Sequence, residues 1–264
     1  MPMDIVTSQN RKATTSAFGK DECRRFSGLI LAACVLAIPQ IAGFAQSIDV
    51  LTYHNDNGRT GQNLNETILT PANVNATQFG LLRVLAADGK VDAQVLCATD
   101  VSIAGQGQRN VLFVATEHDT VYAFDAGTGS RFWSVSLLGS GETPSDNRGC
   151  SQVTPEIGVT ATPVIDRNLG PNGTLFVVAM SKNASGQYFQ RLHALDLATG
   201  ADELPPTTIN ATYPGTGGNS SGGNVIFDPA QYKERAALLL LNGVIYTAWA
   251  SHCDDSPYTG WIIG

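Results

Sequence analysis

Two segments of this chain close on the same corner, Asp-x-x-Thr-Gly, and that recurrence limits the fold more than any other feature. The first runs Leu112-Phe113-Val114-Ala115-Thr116, then Glu117-His118-Asp119, then Thr120-Val121-Tyr122-Ala123-Phe124-Asp125, and turns at Ala126-Gly127-Thr128-Gly129. The second runs Leu175-Phe176-Val177-Val178-Ala179, a longer polar insertion, then Arg191-Leu192-His193-Ala194-Leu195-Asp196, and turns at Leu197-Ala198-Thr199-Gly200. Each reads as strand, turn, strand, corner. The corner has its own chemistry: an Asp carboxylate and a Thr hydroxyl accept bonds from turn N–H groups, and Gly permits positive φ. A hairpin cannot bury its apolar face alone, whereas stacked copies can.

The rest of the chain agrees with an all-β protein. Strands are expected at Val111–Thr116, Thr120–Phe124, Phe132–Leu138, Thr160–Ile165, Leu175–Met180, Arg191–Leu195, Val225–Phe227, Leu238–Leu241 and Val244–Trp249. Clusters of Gly, Pro, Asn and Asp separate them, and no helical periodicity of useful length follows residue 46. With 43% hydrophobic and 15% charged residues, wholesale disorder is excluded. A net charge of -7 argues against a nucleic-acid partner. No CxxC, CxxCH or HExxH spacing occurs, which removes the commonest zinc and haem signatures.

Residues 1–45 read as a secretory signal peptide. Lys20, Arg24 and Arg25 precede the apolar stretch Gly28–Ile38, and Gly43-Phe44-Ala45 offers small residues for cleavage after Ala45. That stretch is too short to span a bilayer, which needs roughly 20 residues. A periplasmic or secreted location is therefore expected, with no transmembrane helix in the mature chain. Two other readings stay open: a lipobox at Leu31-Ala32-Ala33-Cys34 that would put a lipid anchor on Cys34, and a twin-arginine signal at Arg24-Arg25. The mature part, 46–264, keeps 11 basic and 20 acidic residues, net -9, and Cys97, Cys150 and Cys253. In an oxidising compartment two of these can pair. Cys150 with Cys253 is the expected pair, since both lie in polar, loop-like segments while Cys97 follows apolar Val95-Leu96.

In the first segment the pattern extends to Ala123-x-Asp125-x-x-Thr128-Gly129-x-x-x-Trp133, where the Trp ring can cover the corner and still use its indole N–H. In the second, Leu204 stands where the Trp would fall, so docking there is lost or weaker. This pattern resembles the tryptophan-docking repeat of the pyrroloquinoline-quinone (PQQ) propeller family, which includes quinoprotein alcohol dehydrogenases and the propeller lipoprotein of outer-membrane barrel assembly. Asp56-Asn57-Gly58-Arg59-Thr60-Gly61-Gln62-Asn63-Leu64, with Leu69-Thr70-Pro71-Ala72-Asn73-Val74, is similar to the entry strand of such propellers.

The resemblance implies β-propeller blades of four-stranded antiparallel sheets, about three of them. A third copy starts at Val244 and resumes at Trp261-Ile262-Ile263-Gly264. Since Asp125 and Asp196 are 71 residues apart, the next corner Asp is expected near position 267, and the chain reads as part of a longer propeller. An open arc would expose unpaired edges, so the isolated chain is expected to aggregate or need a partner.

Candidate chemistry is sparse. Glu117-His118-Asp119 reads as turn-forming residues rather than metal ligands or an acid/base pair. Lys182 occupies the matching turn of the second segment. His252, Asp254 and Asp255 form a candidate cation loop, against the reading of a solvated loop held by a disulfide. The three turns can face one rim and make a composite ligand site. Gly218-Asn219-Ser220-Ser221-Gly222 has nucleophile-elbow spacing but lacks the strand before it and the helix after it. Six N-x-S/T sequons, at Asn65, Asn75, Asn172, Asn183, Asn210 and Asn219, matter only in a eukaryotic secretory pathway.

In the quinoproteins, PQQ lies between a Trp and a vicinal Cys-Cys disulfide with Ca²⁺ beside it. This chain has no adjacent cysteine pair, and Asp146-Asn147-Arg148-Gly149-Cys150 offers one cysteine only. The expected role is a module that binds or scaffolds a protein or small-molecule ligand. The alternatives are the N-terminal part of a PQQ-dependent alcohol or sugar dehydrogenase, or an assembly factor if Cys34 carries lipid.

Overall fold

The computed structural model describes residues 49–264 together with Asp4–Ile5. The leader calls, including Cys34 and Ala45, therefore lie outside the described residues. No helix among the described residues is long and apolar enough to cross a membrane. The molecule is all-β, built from several antiparallel sheets of which none closes on itself.

Strand β1 (Asp4–Ile5) pairs with β2 (Arg83–Val84). The first large sheet is a meander of β3 (Leu96–Ile103), β4 (Gly107–Ala115), β5 (Thr120–Asp125) and β6 (Arg131–Ser136). The second large sheet receives β7 (Glu142–Asp146) and β8 (Glu156–Ile157), then β9 (Val164–Asp166), β10 (Thr174–Asn183), β11 (Tyr188–Asp196) and β12 (Thr207–Thr208). After a small sheet of β13 (Thr212–Pro214), β14 (Ser220–Ser221) and β15 (Asn224–Ile226), the third large sheet collects β16 (Tyr232–Glu234), β17 (Leu239–Leu241), β18 (Val244–Ser251) and β19 (Trp261–Ile263).

Why the apolar runs are continuous follows from stacking. On β10, Leu175, Val177 and Ala179 enter the core shared with the first sheet, alongside Val111, Phe113, Val121 and Ala123. The alternate residues Phe176 and Val178 face the other way, toward Phe227, Tyr232, Leu238 and Trp249. A strand buried on both faces must be apolar at every position, so Leu175–Met180 does not alternate. In β4 the same division places Leu112 and Val114 against Leu85 and Phe124.

The two corners have matching hydrogen bonds. Asp125 Oδ1 accepts from Thr128 N at 2.7 Å, and Asp196 Oδ1 from Thr199 N at 2.9 Å. Gly129 N and Gly200 N each donate back to the Asp carbonyl, at 2.7 and 2.8 Å, with φ of +78° and +73°. Trp133, however, does not cover its own corner. Its Nε1–H donates to Leu197 O at 3.1 Å, and its ring lies on Gly200, where a Cβ would come within 2.5–2.8 Å of ring carbons. At the first corner, Arg83 and Leu85 occupy the corresponding place beside Gly129. Leu204 is 70% exposed.

A strap from residues 50–59 runs across all three large sheets. Val50 bridges Cys97, Leu51 O accepts from Ile165 N at 2.8 Å, and Arg59 donates to Tyr53 O and Leu238 O at 3.0 Å each. Asn57 Nδ2 donates to Leu240 O at 2.9 Å. The Asp56–Leu64 stretch is thus a turn-rich tie and not a strand, with Arg59 and Gly61 at positive φ.

Candidate functional site: a rim of loops above a buried acidic cluster

The connection Glu142–Cys150 gathers the turns of the second and third sheets. Glu142 receives both guanidinium nitrogens of Arg191 at 2.7 Å and the Ser181 hydroxyl at 2.6 Å, and Arg191 holds its carboxyl down at about 2. Lys182 reaches Asp146 at 2.5 Å, Tyr188 donates to Asp146 Oδ1 at 3.1 Å, and the Arg148 guanidinium stacks over the Tyr188 ring at 4.6 Å. From the third sheet, His252 Nε2 lies 3.0 Å from Asn147 O. Cys150 is joined to Cys253 by a disulfide spanning 103 residues, with a Cα–Cα distance of 6.2 Å. Asp146, Lys182 and Tyr188 border a surface recess of about 300 Å³ with Thr143 and Asn183.

In the loop held by the disulfide, Asp254 and Asp255 are exposed, whereas His252 is buried, and burial lowers its pKa. It sits within 4.8 Å of the two cysteine sulfurs, which as a disulfide offer no thiolate, and not with Asp254 and Asp255. Asp254 instead accepts the Tyr258 hydroxyl at 3.0 Å. His252, Asp254 and Asp255 do not assemble a ligand set. Gly218–Gly222 likewise meets no catalytic partner: Gly218 O accepts from Thr259 Oγ1 at 2.9 Å, and Ser220–Ser221 is a short strand, not an elbow.

Glu117 and Asp119 are where sequence reasoning missed most. They do form a turn, but both are 0% exposed. The segment after β8 covers them: Glu117 Oε2 accepts from Gly158 N at 2.8 Å and from Thr160 Oγ1 at 3.0 Å. Gly158 is required by this approach, since a Cβ there would stand 2.7 Å from Asp119 Oδ1 and overlap Glu117 O. Burial lifts the Glu117 carboxyl to about 7. Burial, then the charges of Glu117, Glu156 and Glu142, raises Asp119 well above the usual carboxylate range. His118, between them, turns outward and places Nδ1 2.9 Å from Glu156 Oε1.

From the third sheet, β16 brings Lys233 and Glu234 to a cavity of about 10 Å³ beside Gly158, Thr160 and Gln190. Neither Lys233 Nζ nor either Glu234 carboxylate oxygen has a hydrogen-bond partner. Burial lowers Lys233 to about 8, against the charges of Glu117 and Asp92, and raises Glu234 well above its ordinary value. Nothing in Tyr232-Lys233-Glu234 marks a buried strand, because two of its three residues are charged.

The residues do not make the quinone seat that the resemblance implies. The one disulfide among the described residues joins cysteines far apart in sequence, and Cys97 is free and packed beside the strap. No protein family and no curated protein matches this chain.

Proposed function

We propose that this chain is an exported, PQQ-repeat-like β-propeller segment, its three large sheets being successive blades, and that it serves as a binding or scaffolding module. The indole of Trp133 supports the propeller reading: it leaves one sheet to dock on the next one's corner, which is the contact that radially stacked sheets need. The binding reading rests on the rim recess. Its walls offer a carboxylate, an ammonium, an aromatic ring and amide and hydroxyl groups within about 300 Å³, a volume in the range of small-ligand sites. Lys182 and Asp146 are partly exposed and already oriented by Tyr188, so a polar small molecule or a polar loop of a partner protein meets preorganised groups.

The test is a thermal-shift screen of the full chain against polar small molecules and peptides, with PQQ plus Ca²⁺ included. A ligand that raises the melting temperature of the wild type, and does so at least tenfold less potently with Lys182→Ala, is the expected result. Binding that ignores Lys182 and Asp146→Asn places function elsewhere. Quinone absorbance with dye-linked alcohol or sugar oxidation would replace the binding reading by an oxidoreductase.

A further inference from the structure

The carbonyl oxygen of Asn147 receives two donors, the Cys150 backbone N–H at 2.8 Å and His252 Nε2 at 3.0 Å. A carbonyl only accepts, so Nε2 carries the ring proton, and in the neutral imidazole Nδ1 keeps the lone pair. His252 N in turn donates to Gln231 O at 2.9 Å, which fixes the loop that carries both His252 and Cys253. One ligand-capable atom from each of Cys150, His252 and Cys253 lies within 4.8 Å of the other two. Cys150 and His252 are buried, and Cys253 is half-buried. Splitting the disulfide leaves two thiols and an imidazole within reach of one another, largely away from water. Two sulfurs and one imidazole nitrogen are zinc donors, and sulfur ligands do not suit calcium or magnesium. A histidine whose other ring nitrogen is held by a backbone carbonyl is the usual arrangement around a bound metal, and here the same carbonyl also holds Cys150.

We propose that Cys150, His252 and Cys253 form a redox-gated zinc site: a disulfide when oxidised and, when reduced, a two-cysteine, one-histidine set whose fourth position is left to water. A dithiol reductant, itself oxidised to a disulfide, supplies two electrons and two protons and converts the Sγ–Sγ bond into two thiols. Zn²⁺ then displaces both thiol protons to solvent and takes the Nδ1 lone pair of His252. Around tetrahedral zinc, with Zn–S of about 2.3 Å, the sulfurs stand about 3.8 Å apart. With the two Cα atoms 6.2 Å apart, rotation about the Cα–Cβ bonds reaches that separation. The ion closes the same loop between the second and third sheets that the disulfide closes, so the join persists in a reducing environment. The site shares no residue with the rim recess and does not depend on the ligand proposed there.

The full chain should be reduced with a phosphine, which becomes its oxide and, unlike a dithiol, competes little for zinc. It should then be titrated with ZnCl₂ by calorimetry and with CoCl₂ by absorbance. One ion per reduced chain and none per oxidised chain are expected, with a thiolate-to-cobalt charge-transfer band of two-thiolate intensity. Zinc at about a hundredfold excess over Kd should raise the melting temperature of the reduced chain by roughly 5–10 °C. Cys150→Ser should abolish these responses, His252→Gln should weaken zinc binding at least about tenfold, and Cys97→Ser should leave them unchanged. If Cys150→Ser or His252→Gln does not fold, the wild-type cobalt spectrum decides, since a band of one-thiolate intensity or none contradicts the ligand set. Zinc uptake by the oxidised chain, no uptake by the reduced chain, unchanged affinity in Cys150→Ser or His252→Gln, or loss in Cys97→Ser each overturns the proposal.

Discussion

At the scale of single residues, the burial of charge sets the pH behaviour. Glu234 is the simplest case, because its carboxylate is buried and meets no cation. Its folded pKa is raised, so the folded chain binds more protons than the unfolded one above about pH 4.3. Stability from this group is complete below that pH and declines as pH rises through the window up to the folded value. Glu234→Gln keeps the shape and removes the titration. The variant should match the wild type near pH 4 and exceed it by roughly 1–3 kcal/mol at pH 8 in urea unfolding. A wild type that grows more stable from pH 5 to pH 8 relative to the variant would refute this. None of it was legible beforehand. Glu, His, Asp and Lys are the letters of a solvated turn, and what buries Glu117 and Asp119 is a segment some 40 residues further on, whose role rests on the missing side chain of Gly158.

At the scale of elements, strands and corners were readable because their physics is local. Strand β10 announced itself by an apolar run too long for a half-exposed strand, and the corners by Asp, Thr and Gly at fixed offsets. Where the sequence misled, tertiary contact decided. Thr160–Ile165 is expected as one strand, yet only Val164–Asp166 pairs; the stretch before it runs against the first sheet's turn, with Val159 N donating to Thr116 O at 3.2 Å and the Thr160 hydroxyl to Glu117. The destination of Trp133 was equally hidden, because a side chain that docks 64 residues away leaves no local mark. Its two contributions can be separated. Trp133→Phe keeps much of the ring and loses the bond to Leu197 O, costing about 1 kcal/mol. Trp133→Ala should cost about 2–4 kcal/mol. Gly200→Ala combines a strained φ with a collision against the indole and should cost about 1–3 kcal/mol in the wild type. In the Trp133→Ala background that penalty should shrink, because the collision is gone while the φ strain stays. Equal penalties in both backgrounds, measured by denaturant unfolding, would show that the indole does not rest on Gly200.

At the scale of the whole molecule, two long-range ties join the large sheets: the disulfide between the second and third, and the strap across all three. The disulfide closes a loop of about a hundred residues, for which chain-entropy arguments give roughly 2–5 kcal/mol. Replacing Cys150 and Cys253 together by Ala should lower the melting temperature by roughly 5–15 °C, and reductant should do the same to the wild type while leaving the double variant unmoved. A melting temperature indifferent to reductant would mean that the bond adds nothing. The strap has a different consequence, one of order in time. Residues 50–59 leave the ribosome before any surface they grip, and the carbonyls of Leu238 and Leu240 that receive Arg59 and Asn57 follow them by about 180 residues. Contacts so remote in sequence carry a heavy closure cost and slow the search for the native state. The strap is thus made before the surfaces it joins yet is among the last parts to be seated, and until then the groups it bonds on three sheets wait unpaired.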